Sequence, residues 1–206
     1  MDTDTSVQYF TKKERRQYFK DQERLKKVSE KRKRKIIKSV SVLAVLLFLT
    51  LGGAFLVVNS SKPLPGQAVA VLGRAHVPVG TKVTYNSNPP TSGDHYATPQ
   101  NGGVYNSPIP DGYLIHSLEH GYVIISYNCD FGKNKNACLS FVNQLKQKVD
   151  SDSWKLILIP RPVLDANFAL TAWGRIDKFN TTAATMDRVN SFINAFRGAG
   201  PENTPN

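Results

Sequence analysis

Residues 114–127 read LIHSLEHGYVIISY, and the fold turns on how this stretch divides. Its second half, Tyr122 to Tyr127, is a continuous β-branched and aromatic run, the pattern of a buried strand. Its first half carries His116 and His120, spaced i,i+4. As a helical turn, HSLEH places both imidazoles on one face, about 6 Å apart at Cβ and within reach of one ion. As a strand the same step covers about 13 Å, and the rings could not easily share an ion. Gly121 favours the turn, because helices commonly close on a glycine in the left-handed region. In such a turn Glu119 is expected to point away from the two histidines, as an outer group or a nearby base.

Downstream the pattern stays regular. Asn128 to Asn136 is a polar loop. ACLSFVNQLKQKV, residues 137–149, spaces Cys138, Phe141, Val142, Leu145 and Val149 as one helical face. KLILI, residues 155–159, is a strand stopped by Pro160 and Pro162. FALTAWGRI, residues 168–176, is expected as one further strand with a bulge at Gly174. A last helix is expected from Thr182 to Arg197, with Met186, Val189, Phe192, Ile193 and Phe196 on its apolar face and Gly198 and Pro201 closing it. Strand, helix, strand, strand, helix predicts an α+β domain, a small mixed or antiparallel sheet with two main helices on one or both faces.

Upstream, from Gly66 to Gly112, periodicity fades. VAVLG (residues 69–73) and TKVTY (residues 81–85) read as short strands, and the rest is dense in glycine and proline. Tyr85, Tyr96, Tyr105 and Tyr113 punctuate it, whereas a free linker is poor in aromatics. The segment therefore reads as a long irregular N-terminal wrap packed on the rest of the domain.

Ahead of the wrap, residues 39–59 read SVSVLAVLLFLTLGGAFLVVN without a charge. Twenty-one residues at about 1.5 Å each reach about 30 Å, the thickness of a hydrocarbon core. Residues 1–38 hold 14 Lys or Arg against 6 Asp or Glu, so +8 of the chain's net +11 precedes this run and only +3 follows it. The positive-inside rule then predicts a single-pass plasma-membrane protein with its N-terminus cytoplasmic and its C-terminal domain extracytoplasmic. A cleaved signal peptide fits less well, since its charged region would be 38 residues long. The basic residues flank a membrane helix instead of marking a folded face, which argues against nucleic acid as a partner. The lipid bilayer is the expected partner, with an extracytoplasmic protein or small ligand of unknown kind. The boundaries are a basic tail at 1–38, a membrane helix at 39–59, a linker at 60–65, the domain at 66–200 and a flexible end at 201–206.

Two residue types carry chemistry. Cys129 and Cys138, the only cysteines, stand in the outer domain with eight residues between them. An oxidising compartment allows a disulfide there, closing the loop between strand and helix. A redox pair is usually closer, as C-x-x-C, so a structural bridge is preferred over free thiols, a redox pair or a metal site. All four histidines lie between His76 and His120. The wrap can carry His95 and His76 to the pair His116 and His120, and three or four imidazoles suit zinc, copper or iron. Asp94 and Glu119 are candidate oxygen ligands, tautomer-holding groups or, in an enzyme, proton-transfer groups. The alternative is that these are ordinary hydrogen-bonded histidines. No nucleophile elbow or cofactor loop is present.

YNSNPPTSGDHY (85–96), LIHSLEHGYVIISY (114–127) and FALTAWGRIDKF (168–179) resemble a bacterial family of membrane-anchored proteins, the domain of unknown function DUF3105. The resemblance implies that Pro89, Pro90, Thr91, Ser92, Gly93, His95, His116, Glu119, His120 and Gly121 are the family's characteristic positions. It implies no activity, substrate or cofactor. Two expectations follow: an extracytoplasmic domain binding a transition metal through His95, His116, His120 and His76, or a non-enzymatic envelope or interaction protein whose histidine cluster is structural. A hydrolase using His and Glu without a metal is weaker, for want of an activated nucleophile.

Overall fold

The computed structural model describes residues 11–60, 63–202 and 204, in two units, Met1–Pro63 and Leu64–Asn206. Residues 1–10 of the expected tail, 61–62 of the expected linker, and 203, 205 and 206 lie outside the described residues.

In the first unit α1 runs from Lys12 to Ser60. Thr11 starts it with a reciprocal cap: its N–H donates to Glu14 Oε2 (2.8 Å), and its Oγ1 accepts from the Glu14 N–H (3.5 Å). The basic tail is thus helical from Lys12 and continuous with the apolar run. The helix is long and apolar enough to cross a membrane, with a mean hydropathy of 2.3 in its most apolar stretch. Ser41 and Thr50, polar residues inside that stretch, donate their hydroxyls to the helix's own carbonyls of Ile37 and Leu47. That satisfies them without water, as a bilayer interior requires.

The second unit grows from β5 (Val123–Tyr127), where the β-branched run predicts a strand. The amphipathic α3 (Lys135–Ser151) returns the chain so that β6 (Leu156–Pro160) pairs parallel with β5. Instead of one bulged strand, residues 168–179 form a hairpin of β7 (Phe168–Ala172) and β8 (Arg175–Phe179). Gly174 takes a positive φ of 67° in the two-residue turn, which reverses the chain where a bulge would only bend it. Three two-residue strands of the wrap, β1 (Gln67–Ala68), β2 (His76–Val77) and β3 (His95–Tyr96), precede β4 (Gly103–Val104) and α2 (Asp111–Glu119). The main sheet is mixed, in order β1-β8-β7-β5-β6-β4, while β2 and β3 pair separately in parallel.

VAVLG and TKVTY do not form the expected strands; those residues are largely irregular, and pairing falls on the flanking dipeptides instead. The wrap has too few alternating apolar residues to sustain a ladder and is held by side-chain bonds. The last helix is also shorter than expected. A 3₁₀ turn covers Thr181–Ala183, and α4 (Met186–Phe196) begins after Thr185, whose Oγ1 accepts from the Arg188 N–H.

α3 and α4 cover one sheet face, where Ile125, Leu158, Phe168 and Leu170 meet Phe141, Leu145, Val189 and Phe192. α2 and the wrap lie on the other face, where Leu114 and Leu118 meet Ile124, Ile157 and Ile159. Cys129 and Cys138 form a disulfide between the end of β5 and the first turn of α3, with Cα atoms 5.4 Å apart. Toward the C-terminal end the Glu202 N–H donates to the Glu119 carbonyl (3.1 Å) and Lys155 Nζ to the Thr204 carbonyl (2.6 Å).

Candidate metal centre

HSLEH is the last turn of α2. His120 caps it through its N–H to the His116 carbonyl (3.2 Å), and Gly121 follows with φ at +81°. Any other residue at 121 would be strained there, and its Cβ would press on the backbone of Gly198 and Gly200. The turn sets the His116 and His120 ring centroids 4.5 Å apart.

The wrap delivers the other two histidines. In the β2–β3 pair His76 lies directly opposite His95, so both side chains leave the same face. Neighbours on PPTSGDH act as latches. The Ser92 Oγ accepts from the Leu72 N–H (2.9 Å), Asp94 Oδ1 accepts from the Ala75 N–H (3.0 Å), and the His95 N–H donates to the Ala75 carbonyl (3.0 Å). Tyr85 donates its hydroxyl to the Asp94 carbonyl (3.0 Å). Burial, with Asp111, Tyr96 and Asp94 adding to it, pushes the Tyr85 phenol up to about 12, so it remains a donor. Pro89 and Pro90, which open this loop, are buried.

One ligand atom each from His76, His95, His116 and Glu119 lies within 4.8 Å of every other, a group that could hold a metal ion. His95, His116 and Glu119 are 0%, 5% and 2% exposed, while His76 is exposed. The His95 and His116 rings sit 4.9 Å apart, and His76 is 5.1 Å from the first and 4.9 Å from the second.

Backbone carbonyls fix two tautomers. His95 Nδ1–H donates to the Gly93 carbonyl (2.8 Å), and His116 Nδ1–H to the Tyr96 carbonyl (2.7 Å). With Nδ1 so engaged, each ring turns its Nε2 inward, the way metal-binding histidines are commonly oriented, and His116 Nε2 meets His120 Nε2 there. Burial pushes the His116 imidazole below its ordinary value, and His120, His95 and His76 push the same way against the Tyr96 carbonyl bond. That favours the neutral form a metal needs.

His95 Nε2 is the informative atom. It lies 3.1 Å from Glu119 Oε2, an ion-pair distance, yet the two are not aligned as a hydrogen bond. Buried, Nε2 has no hydrogen-bond partner among the described residues. A buried ring nitrogen set against a carboxylate oxygen without a bond between them is unfavourable. The in-plane direction shared by an Nε2 proton and an Nε2 lone pair misses Oε2, whereas a cation set off the line between the two atoms could be met by both.

Among the sequence-derived candidates, His76, His95 and His116 converge as expected. Glu119 joins them instead of pointing away, because α2 ends at this residue and its side chain turns under the wrap. His120 stands beside the group, its Nε2 3.1 Å from His116 Nε2. Asp94 is spent on the loop. Arg74, whose Nη1 lies 3.6 Å from Glu119 Oε1, and Glu202, whose Oε2 lies 3.2 Å from His120 Nε2, had no local sequence signal.

A family model described as "Protein of unknown function (DUF3105)" matches residues 76–206, more than half of the chain and, of the eight side chains just named, all but Arg74. The chain belongs to that family. Comparisons with curated proteins and with solved structures matched nothing.

Proposed function

We propose that this DUF3105 member is a membrane-anchored metal-binding protein, holding a divalent transition metal through His76, His95, His116 and Glu119. The observation that carries the reading is the orphaned His95 Nε2 set against Glu119, with both buried imidazoles held in the ligating tautomer. Three imidazoles and one carboxylate suit zinc best, and copper or iron also take such ligands. The anchor is α1, with the N-terminus cytoplasmic and the DUF3105 domain extracytoplasmic at the plasma membrane. The charge asymmetry across the helix and the Cys129–Cys138 disulfide support that orientation.

A second reading has its own observation: the Gly93 and Tyr96 carbonyl bonds tie the wrap to α2 and would do so without any ion. The cluster would then be purely structural, in an envelope or interaction protein. Elemental analysis of the purified full-length chain in detergent separates the two. One equivalent of zinc, copper or iron per chain, or its stoichiometric uptake after chelation, is the expected result. A chain that purifies without metal and takes none up leaves only the structural reading.

A further inference from the structure

We propose that His120 and Glu202 form an outer capture position, which takes the cation from solvent and passes it to the buried group. The proposal rests on the metal reading above and adds a route to it.

Among the described residues, solvent reaches the histidines beside the buried ligands at two places. One is at the exposed His76, and Arg74 stands close by with its guanidinium against Glu119. A positive charge there repels an incoming cation. The other is at His120, whose side chain is 16% exposed, and its neighbour Glu202 is 49% exposed and negative. Charge therefore directs a cation to the second approach.

The spacings fit a hand-over. Two donors each about 2.0–2.1 Å from one ion lie about 3.0–3.4 Å from each other at common coordination angles. Glu202 Oε2 to His120 Nε2 is 3.2 Å and His120 Nε2 to His116 Nε2 is 3.1 Å, each a hydrogen bond whose proton an ion would replace at nearly the same separation. His120 belongs to both pairs. An ion can pass from the outer pair to the inner one while keeping two protein ligands.

Glu202 is placed by the backbone. Its own N–H donates to the Glu119 carbonyl, and the Gly198 N–H donates to the Gly121 carbonyl (2.8 Å). A Cβ on Gly200 would collide with the Glu119 carbonyl, so glycine lets the strap lie against the turn that carries His120. A carboxylate 82 residues away in sequence is thereby fixed at the mouth of the site.

The test is stopped-flow loading of zinc into the chelator-stripped full-length chain in detergent, comparing wild type, Glu202→Gln and His120→Asn at low and high salt. Loading and chelator-driven release are expected to slow together in both variants, about tenfold or more at low salt. A group acting on the path alters both rates alike, so one zinc per chain should still be held at equilibrium. Glu202→Gln should also lose most of the salt dependence. Wild-type rates in Glu202→Gln, an exposed near-isosteric change that leaves the fold intact, overturn the proposal. Loss of the bound zinc at equilibrium in either folded variant also overturns it, by making the pair permanent ligands. A wild-type chain that binds no zinc, copper or iron overturns the metal reading itself, before any rate is compared.

Discussion

On one face of the main sheet Val123, Ile125, Leu156, Leu158, Phe168 and Leu170 meet the apolar sides of α3 and α4. On the other, Ile124, Ile157 and Ile159 meet Leu114 and Leu118 of α2, and the buried residues beyond include Thr91, Ser92, His95, His116, Ser117 and Glu119. The first face is assembled by removing area from water, a force without direction. The second is held by directed bonds, and each buried polar atom there needs a partner. Ser117, for example, donates to the Gln100 carbonyl (2.7 Å) and accepts from the Gln100 N–H (2.8 Å). Among the described residues Ser87 Oγ, Thr91 Oγ1 and His95 Nε2 are buried without a hydrogen-bond partner, and His95 Nε2 is the one set 3.1 Å from a buried carboxylate oxygen. The comparison teaches that stability and binding are divided between the faces, so they should respond to different substitutions.

The largest expected effect is on the apolar face. Phe168 is fully buried and packs its ring 5.1 Å from Phe141 and 5.5 Å from Phe179. Phe168→Ala should cost about 3–5 kcal/mol in denaturant unfolding followed by the fluorescence of Trp154 and Trp173. Metal content per folded chain should be unchanged. A variant that folds but loses its metal would break the division between the faces.

Glu119→Gln sharpens the same division from the other side. It keeps the shape of a buried side chain and removes its charge. Metal affinity should fall by more than the roughly 10–100-fold typical when an outer partner is lost. Yet the chelator-stripped variant should be as stable as wild type or more so, by up to about 1 kcal/mol, because the amide keeps the side chain's shape and removes a charge that is costly to bury. Calorimetric zinc titration and unfolding of the stripped protein give the two numbers. Unchanged affinity together with marked destabilisation would instead assign Glu119 a structural role.

The smallest effect is on pH dependence. Because the folded chain holds His116 below its ordinary value, the unfolded chain binds the proton more readily. The associated stability is fully present above the unfolded value of about 6.5 and is lost as pH falls from there toward the depressed folded value. Unfolding of the stripped chain from pH 7.5 to 5 should show this slope, and His116→Asn should reduce it. An identical slope in the variant would place the titrating group elsewhere.

Much of the apolar face was legible from residue order. The runs at 122–127 and 155–159 and the spacing of Cys138, Phe141, Val142, Leu145 and Val149 mark β5, β6 and α3, because burial against a sheet imposes the periods 2 and 3.6. The hairpin at Trp173–Gly174 was missed, since a glycine there serves a bulge or a reversal equally well and pairing partners decide which. The wrap was legible only as ordered and irregular. Its contacts, Ser92 to Leu72 and Asp94 to Ala75, are single bonds between distant residues and leave no period to read.

The sequence alone determined the long apolar helix behind a basic tail, the sheet-and-helix class, the cysteine pair, and the grouping of four histidines within 45 residues. These are properties of composition and local spacing. Only the tertiary structure decided that Glu119 replaces His120 in the compact group, that carbonyls of Gly93 and Tyr96 fix the tautomers, and that Glu202 comes back to His120. Those facts depend on separations of a few ångströms between residues up to 82 positions apart. Such separations are set by packing of the whole chain, and no local pattern encodes them.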